Sequence, residues 1–357
     1  MALKRDKVFV VLLIIALVLA GLNVAKFKGW LIPKQGDIQI SGNTVILDSM
    51  TIEQKIAQMT VGIGIIEHLT AYQNMQLGGV YLYSLGNAWV FNNTIIDFQY
   101  NSKIPMFISV DLEGCFNPFA SFQNFSTTIE TKTVGEAFEK GFREGEFLNS
   151  LGVNMNFAPV VDLDDEIWKC RAFPGNELEI SELAQSYTLG LQTQGVIATA
   201  KHYPGKALVV KDPHKFLVSA DIAKEDLFPY SYLKEKQDVK SIMVTHVISS
   251  GEIDSGGVPA VVSKKVVDSI RKDYEGLIIT DEIHMLGLKN FYETIDDMYI
   301  AVFKAGNDVI LNFDKDPTEL YRMVTVVSEA VRNGEISEKQ IDASVTRVLK
   351  AKGFEVK

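Results

Sequence analysis

Short runs of almost unbroken apolar residues recur along this chain, and longer stretches of helical period separate them. That alternation limits the fold more than any other feature. The runs fall at 78–83, 105–110, 153–161, 196–200, 241–245, 277–280 and 308–312. Continuous hydrophobicity suits strands buried on both faces, as in a parallel sheet, rather than the half-exposed strands of a sandwich. Helix candidates lie between and after them, including 180–194, 264–272, 292–305, 318–333 and 337–352. A further helical period occupies 50–59, where Thr51 is a candidate N-cap and Glu53 supplies first-turn acid. Seven or eight strand–helix repeats over roughly 300 residues predict an α/β fold, a single TIM (β/α)8 barrel, in preference to an open doubly wound sheet. No glycine-rich phosphate loop follows the first strand, which argues against a nucleotide-binding fold.

The amino terminus is organised differently. Lys4, Arg5 and Lys7 precede an uncharged apolar run from Val8 to Leu22 that reaches Ala25 if Asn23 is tolerated. Basic residues followed by an apolar run are the order of an export signal, kept as a membrane anchor or cleaved near Val18-Leu19-Ala20. No Cys follows, so lipid attachment is not expected. The expected organisation is a signal or signal-anchor over 1–25, a spacer over 26–46 and a barrel over 47–357, with no second domain and the barrel outside the cytoplasm.

Composition narrows the partners. A net charge of −10 excludes nucleic acid as the main partner, because neutralising phosphates needs a basic face. Two cysteines, Cys115 and Cys170, are too few for a disulfide framework or a cysteine-based zinc site. The five histidines stand outside HExxH or CxxC spacings, so no metal and no cofactor are expected.

Function is written at the ends of the apolar runs. Val110 leads into Asp111-Leu112-Glu113-Gly114, and Val161 into Asp162, with Arg171 in the same loop. Ala200 leads into Lys201-His202-Tyr203-Pro204-Gly205, Thr245 into His246, and Thr280 into Asp281-Glu282. In a barrel these carboxyl ends converge on one mouth, where active sites lie. Any one histidine there, His246 for instance, is more often a hydrogen-bonded structural residue. Five converging ionisable positions point to a site.

These motifs resemble the family 3 glycoside hydrolases of the β-N-acetylglucosaminidase type. Lys201-His202-Tyr203-Pro204-Gly205 with the trailing Asp212-Pro213-His214 is similar to that family's K-H-F-P-G…D-S-H segment. Val110–Gly114 resembles its V-D-x-E-G, the segment 280–285 its T-D-D-L-x-M, and Cys170-Arg171-Ala172-Phe173 its S-R-S-F. The resemblance spans roughly 48–352. It implies a retaining glycosidase that removes terminal β-N-acetylglucosamine from peptidoglycan- or chitin-derived glycans. Asp281 would be the nucleophile, and His214 the acid/base oriented by Asp212. Asp111, Arg171, Lys201 and His202 would bind the sugar. An imidazole titrates near neutrality unperturbed, so it can both give and take the proton. Glu282 has the weaker claim, since its side chain is expected to turn away from the mouth.

The chain departs from the pattern in places. Lys206-Ala207 replaces His-Gly, Pro213 replaces Ser, and Cys115-Phe116 replaces Gly-Arg. Each cysteine neighbours an expected binding residue, and in an exported protein the two could pair. Alternatives are a β-glucosidase or β-xylosidase of the same family, a phosphorylase, or a membrane-tethered glycan-binding barrel without turnover.

Overall fold

The computed structural model describes residues 2–207, 216–236 and 238–357. Its main sheet has eight strands: β1 Thr60–Ile63, β2 Gly79–Tyr81, β3 Phe107–Val110, β4 Met155–Asn156, β5 Ile197–Tyr203, β6 Ser241–Val244, β7 Leu277–Thr280 and β8 Ile310–Asn312. They follow the order β7-β6-β5-β4-β3-β2-β1-β8, every neighbour parallel. A parallel bridge from Ile279 to Val309 joins the two ends. There the Thr280 amide donates to the Val309 carbonyl at 2.9 Å, and the Val309 amide to that of Ile278 at 3.1 Å. The sheet therefore closes into the expected TIM barrel. Most of its strands are buried along their whole length, as their continuous apolar composition requires.

Inside the barrel, Val61, Phe107, Met155, Ile197, Leu277 and Leu311 pack into one cluster. Outside runs a ring of helices: α2 (Ile52–Gln58), α3 (Leu69–Met75), α4 (Ala88–Gln99), α5 (Val134–Leu151), α6 (Glu177–Thr193), α7 (Lys224–Glu235), α8 (Lys264–Arg271), α9 (Leu286–Lys289), α10 (Ile295–Lys304), α11 (Pro317–Arg332) and α12 (Glu338–Ala351). Thr51 caps α2 through a capping box with Gln54. Helices α5 and α6 touch backbone to backbone. A Cβ at Gly141 would lie 2.1 Å from the Tyr187 carbonyl oxygen, and one at Gly190 2.3 Å from that of Phe138.

Three features differ from expectation. The first barrel strand, Thr60–Ile63, follows α2 almost directly, where no apolar run was recognised. The long run at 153–161 contributes continuous strand only at Met155–Asn156; beyond Pro159, which has no amide hydrogen to donate, pairing resumes as an isolated parallel bridge from Val160 to Lys201. The stretch expected to be a spacer is partly docked. Ile32, Ile38 and Val45 are buried, and Thr44–Val45 pairs with both Ile40–Ser41 and Glu355–Val356 in a small sheet.

A helix over Ala2–Phe27 (α1) precedes all of this. Its segment Val8–Lys26 has mean hydropathy 3.0, none of it is buried, and it is long and apolar enough to cross a membrane. A signal sequence meets the same test.

Candidate active site

The carboxyl ends of the strands surround a cavity of about 440 Å³, a size typical of small-molecule sites. Asp111, Arg171, Lys201, His202 and Asp281, all expected from sequence, line it together. Asp212 and His214 lie outside the described residues.

Four of the lining residues form a charge chain. The Lys201 ammonium donates to Asp111 Oδ1 at 2.6 Å and lies 2.9 Å from Glu113 Oε2. Arg171 completes the chain at 2.6 Å from Glu113 Oε1. Tyr81, at the end of β2, donates its hydroxyl to Asp111 Oδ2 at 3.0 Å. Burial alone would lower the Lys201 pKa, but the carboxylates of Asp111 and Glu113 outweigh it and the ammonium is held above its ordinary value. The same balance, with Glu113 the main opposing charge, raises Arg171. A buried cation so matched stays charged and presents fixed N–H donors to a ligand's oxygens.

Local sequence explains how these groups are aimed. Asn156 on β4 grips the turn after β3, accepting from the Leu112 amide at 2.8 Å and donating to the Leu112 carbonyl at 2.9 Å. That fixes Asp111 and Glu113 on either side. Gly114 follows with φ +51, and a Cβ there would fall 2.2 Å from the Cys170 carbonyl oxygen, so the turn requires glycine. The Arg171 loop is gathered by Asp165, whose carboxylate accepts from the amides of Trp168, Cys170 and Arg171 at 2.8–3.0 Å. Cys115 and Cys170 are joined in a disulfide, with Cα atoms 5.6 Å apart. The bond staples the β3 and β4 loops beside the Glu113–Arg171 pair. Phe116 and Trp168 flank the guanidinium, with ring centroids 5.4 and 5.8 Å away. An aromatic shelf for Arg171 thus stands where the resembled motif carries a polar residue.

His202 contacts Asp162 through Nδ1 at 2.8 Å, and its Nε2 lies 3.5 Å from the Arg171 guanidinium. A carboxylate only accepts, so Nδ1 carries the hydrogen and Nε2 faces Arg171 and the cavity. Lys206, which stands where the resembled motif has histidine, donates to the Asp221 carbonyl at 2.7 Å and lies 3.3 Å from Asp226. It ties the end of β5 to Asp221 and to the first turn of α7.

Asp281 follows β7, and its amide donates to the Val244 carbonyl of the neighbouring strand at 2.9 Å. Its Oδ1 accepts from the Glu282 amide at 2.8 Å. His246 Nε2 donates to the Glu282 carbonyl at 2.7 Å, so that histidine props the Asp281 turn. Glu282 corrects the sequence reading, for it too lines the cavity. Its Oε1 accepts from the amides of His284 and Phe313 at 2.9 and 3.1 Å. Burial pushes the Glu282 carboxyl up to about 7; those amides oppose the rise and Asp281 adds to it.

Sequence reasoning counted Asp162 among the converging strand-end positions without giving it a role, and it did not single out Glu113, Asn156, Tyr81 or Phe313 as site residues. Asp162 and Glu113 carried the usable signal, being ionisable residues that trail apolar runs.

The model of the glycosyl hydrolase family 3 N-terminal domain matches residues 51–351. The chain belongs to glycosyl hydrolase family 3. Beta-hexosaminidase A of Pseudoalteromonas piscicida is 25% identical over 71% of this chain and 48% of its own length. Beta-hexosaminidase LpqI of Mycobacterium tuberculosis is 26% identical over 84% of this chain and 82% of its own length. A family 3 glycosyl hydrolase structure from Mycobacterium smegmatis superposes with TM-score 0.79 at 26% identity, covering 86% of this chain and 98% of that one. The chain thus spans about half the length of the first relative and most of the other two. Within family 3, the array at the barrel mouth occupies the place where a glycosidase of this fold works.

Proposed function

We propose that the protein is a retaining β-N-acetylhexosaminidase that removes terminal β-N-acetylglucosamine from peptidoglycan- or chitin-derived glycans. The observation that carries this reading is the meeting of Asp281 with the Asp111–Lys201–Glu113–Arg171 chain in one cavity of a family 3 barrel. The names of the hexosaminidase relatives support the acetylated sugar.

In this reading the Asp281 carboxylate attacks the anomeric carbon while His214, oriented by Asp212, gives a proton to the departing glycosidic oxygen. The resulting glycosyl ester on Asp281 is opened by water, whose proton returns to His214. Glu113 is held between two cations and serves the binding array rather than proton transfer. Lys201, Arg171, Asp111 and His202 fix the hydroxyls of one terminal sugar and so place its anomeric carbon against Asp281. The amino-terminal segment exports the barrel and retains it at the membrane.

Nitrophenyl β-N-acetylglucosaminide and β-glucoside, assayed with the wild type, Asp281→Asn and His214→Ala, test the reading. The first sugar is expected to turn over faster, with Asp281→Asn slower by roughly a thousandfold or more. Undiminished activity of Asp281→Asn would sink the mechanism.

A further inference from the structure

The amino-terminal helix meets the barrel at the rim of the mouth. Lys26, near the helix end, lies 3.4 Å from Asp316, which stands between β8 and α11 on the face where the strands end. From there the chain descends along α3. A Cβ on Gly29 would press on Ala71, and the Gln35 amide donates to the Asn74 carbonyl at 2.9 Å near the base. A helix reaching the bilayer through Val8–Lys26 therefore leaves from the mouth side. Nineteen residues rise about 28 Å, close to the thickness of a hydrocarbon core.

The same face carries a set of exposed apolar side chains. Ile66 follows β1, Tyr83 and Trp89 follow β2, and Leu286 and Phe291 follow β7, all five exposed and Trp89 at 74%. Trp30 and Leu31, just beyond the helix, are 59% and 60% exposed. Among the described residues, the loops leading from helices back into strands expose one large apolar side chain, Tyr100. The helix flanks also expose Ile96, Phe138, Leu189 and Phe228; such scattered residues are ordinary, but a set gathered at one end of the barrel marks a contact surface. Its chemistry fits a membrane interface, where Trp and Tyr sit at headgroup depth beside aliphatic side chains. The net charge of −10 makes this an apolar contact rather than an electrostatic one.

We propose that the mouth of the barrel lies against the bilayer that holds the amino-terminal helix, and that its substrates are lipid-attached glycans. This rests on the reading of the cavity as a glycosidase site and of the segment as a retained anchor. The geometry and the chemistry agree. A pocket that takes a terminal sugar sends the rest of the glycan out through the mouth, and in a lipid-attached glycan that remainder runs toward the membrane.

The three tryptophans, Trp30, Trp89 and Trp168, offer a depth gauge. The full chain is reconstituted into phosphatidylcholine vesicles brominated in the acyl chains, with two of the three replaced by Phe in turn. Quenching is expected for Trp30 and Trp89 and not for Trp168, which packs beside Arg171. An unquenched Trp89 beside a quenched Trp30 overturns the proposal, because the barrel then stands clear of the bilayer. An unquenched Trp30 overturns it as well, by removing the anchor.

A second measurement uses the triple variant Trp89→Ser, Leu286→Ser, Phe291→Ser in vesicles carrying a glycolipid with terminal β-N-acetylglucosamine. Turnover of the glycolipid is expected to fall by about tenfold, while soluble nitrophenyl β-N-acetylglucosaminide is cleaved at the wild-type rate. Equal effects on both substrates, or none on either, would overturn the lipid-attached substrate. A wild type that cleaves neither substrate refutes the glycosidase reading, and the quenching result still decides the docking.

Discussion

Two lysines mark opposite ends of the barrel, and their surroundings drive them in opposite directions. Lys201 at the mouth faces Asp111 and Glu113, and its pKa is held above the ordinary value of 10.5. Lys352 at the base donates to the Gly78 carbonyl at 2.8 Å and the Gln58 side-chain oxygen at 2.9 Å, over the Phe107 ring at 4.8 Å. An amide, a carbonyl and a ring do not replace lost hydration, and burial pushes Lys352 down to about 7. Burial alone therefore says little about a lysine. Paired with carboxylates it is a permanent cation aimed at a ligand; paired with neutral dipoles it is a plug whose charge costs stability.

The largest test of this contrast is Lys201→Met. It leaves Asp111 and Glu113 facing each other without their shared cation. It should reduce kcat/KM by roughly a hundredfold and stability by about 3 kcal/mol, read by steady-state kinetics and denaturant unfolding. A variant that keeps full activity would remove Lys201 from the binding array.

Next in size is the double change Cys115→Ser, Cys170→Ser. Unstapling the two loops should cost about 2–4 kcal/mol and raise KM more than it lowers kcat, since Arg171 loses its fixed support. An unchanged melting temperature and KM would leave the bond without a role at the mouth.

Glu282→Gln should have a subtler effect. Its carboxyl titrates near 4.5 in the unfolded chain and about 7 in the folded one. The folded state thus binds the extra proton between those values, and the stability it contributes is lost as pH rises through 7. The glutamine variant keeps the acceptor oxygen for the His284 and Phe313 amides, so it should lack that slope. Parallel stability profiles for the two proteins between pH 4.5 and 7 would refute the assignment.

The smallest effect is expected at the base. Lys352→Met should leave kcat/KM unchanged. In the wild type the unfolded lysine keeps its proton to about pH 10.5 while the folded one gives it up near 7. The wild type therefore gains stability relative to the variant as pH rises across that interval. Unfolding midpoints measured for both proteins at pH 7 and 10 check the sign.

Much of the barrel was legible because buried parallel strands leave continuous apolar runs, and Asp111, Lys201, His202 and Asp281 were legible because each trails such a run. The first strand escaped because Thr60-Val61-Gly62-Ile63 is short, carries Thr and Gly, and abuts α2 with no turn signal between them. Glu113 and Asn156 escaped for another reason. Their importance lies in who meets whom across strands: Asn156 reaches Leu112, forty-four residues away, and Glu113 meets Arg171 and Lys201 from elsewhere in the chain. Glu282 was misjudged because strict alternation along a strand says nothing about the turn beyond it, where Phe313 draws its carboxylate inward. Lys352 read only as the end of a helix, since a solvated tail and a plug share one sequence signature.

The junction of β7 and β8 carries a last consequence. It holds one bridge, where each other pair of neighbouring strands holds two or more, and it runs directly beneath Asp281. Asp308 bolts its lower end, accepting from the Ile278 amide at 2.9 Å and pairing with Arg271 and Arg347. Like the meeting edge of a hinged door, such a joint is expected to open before the rest of the sheet. Amide hydrogens of Thr280 and Leu311, above that bolt, are expected to exchange early in the empty enzyme and late once a sugar fills the cavity, so the seam reports occupancy of the pocket above it.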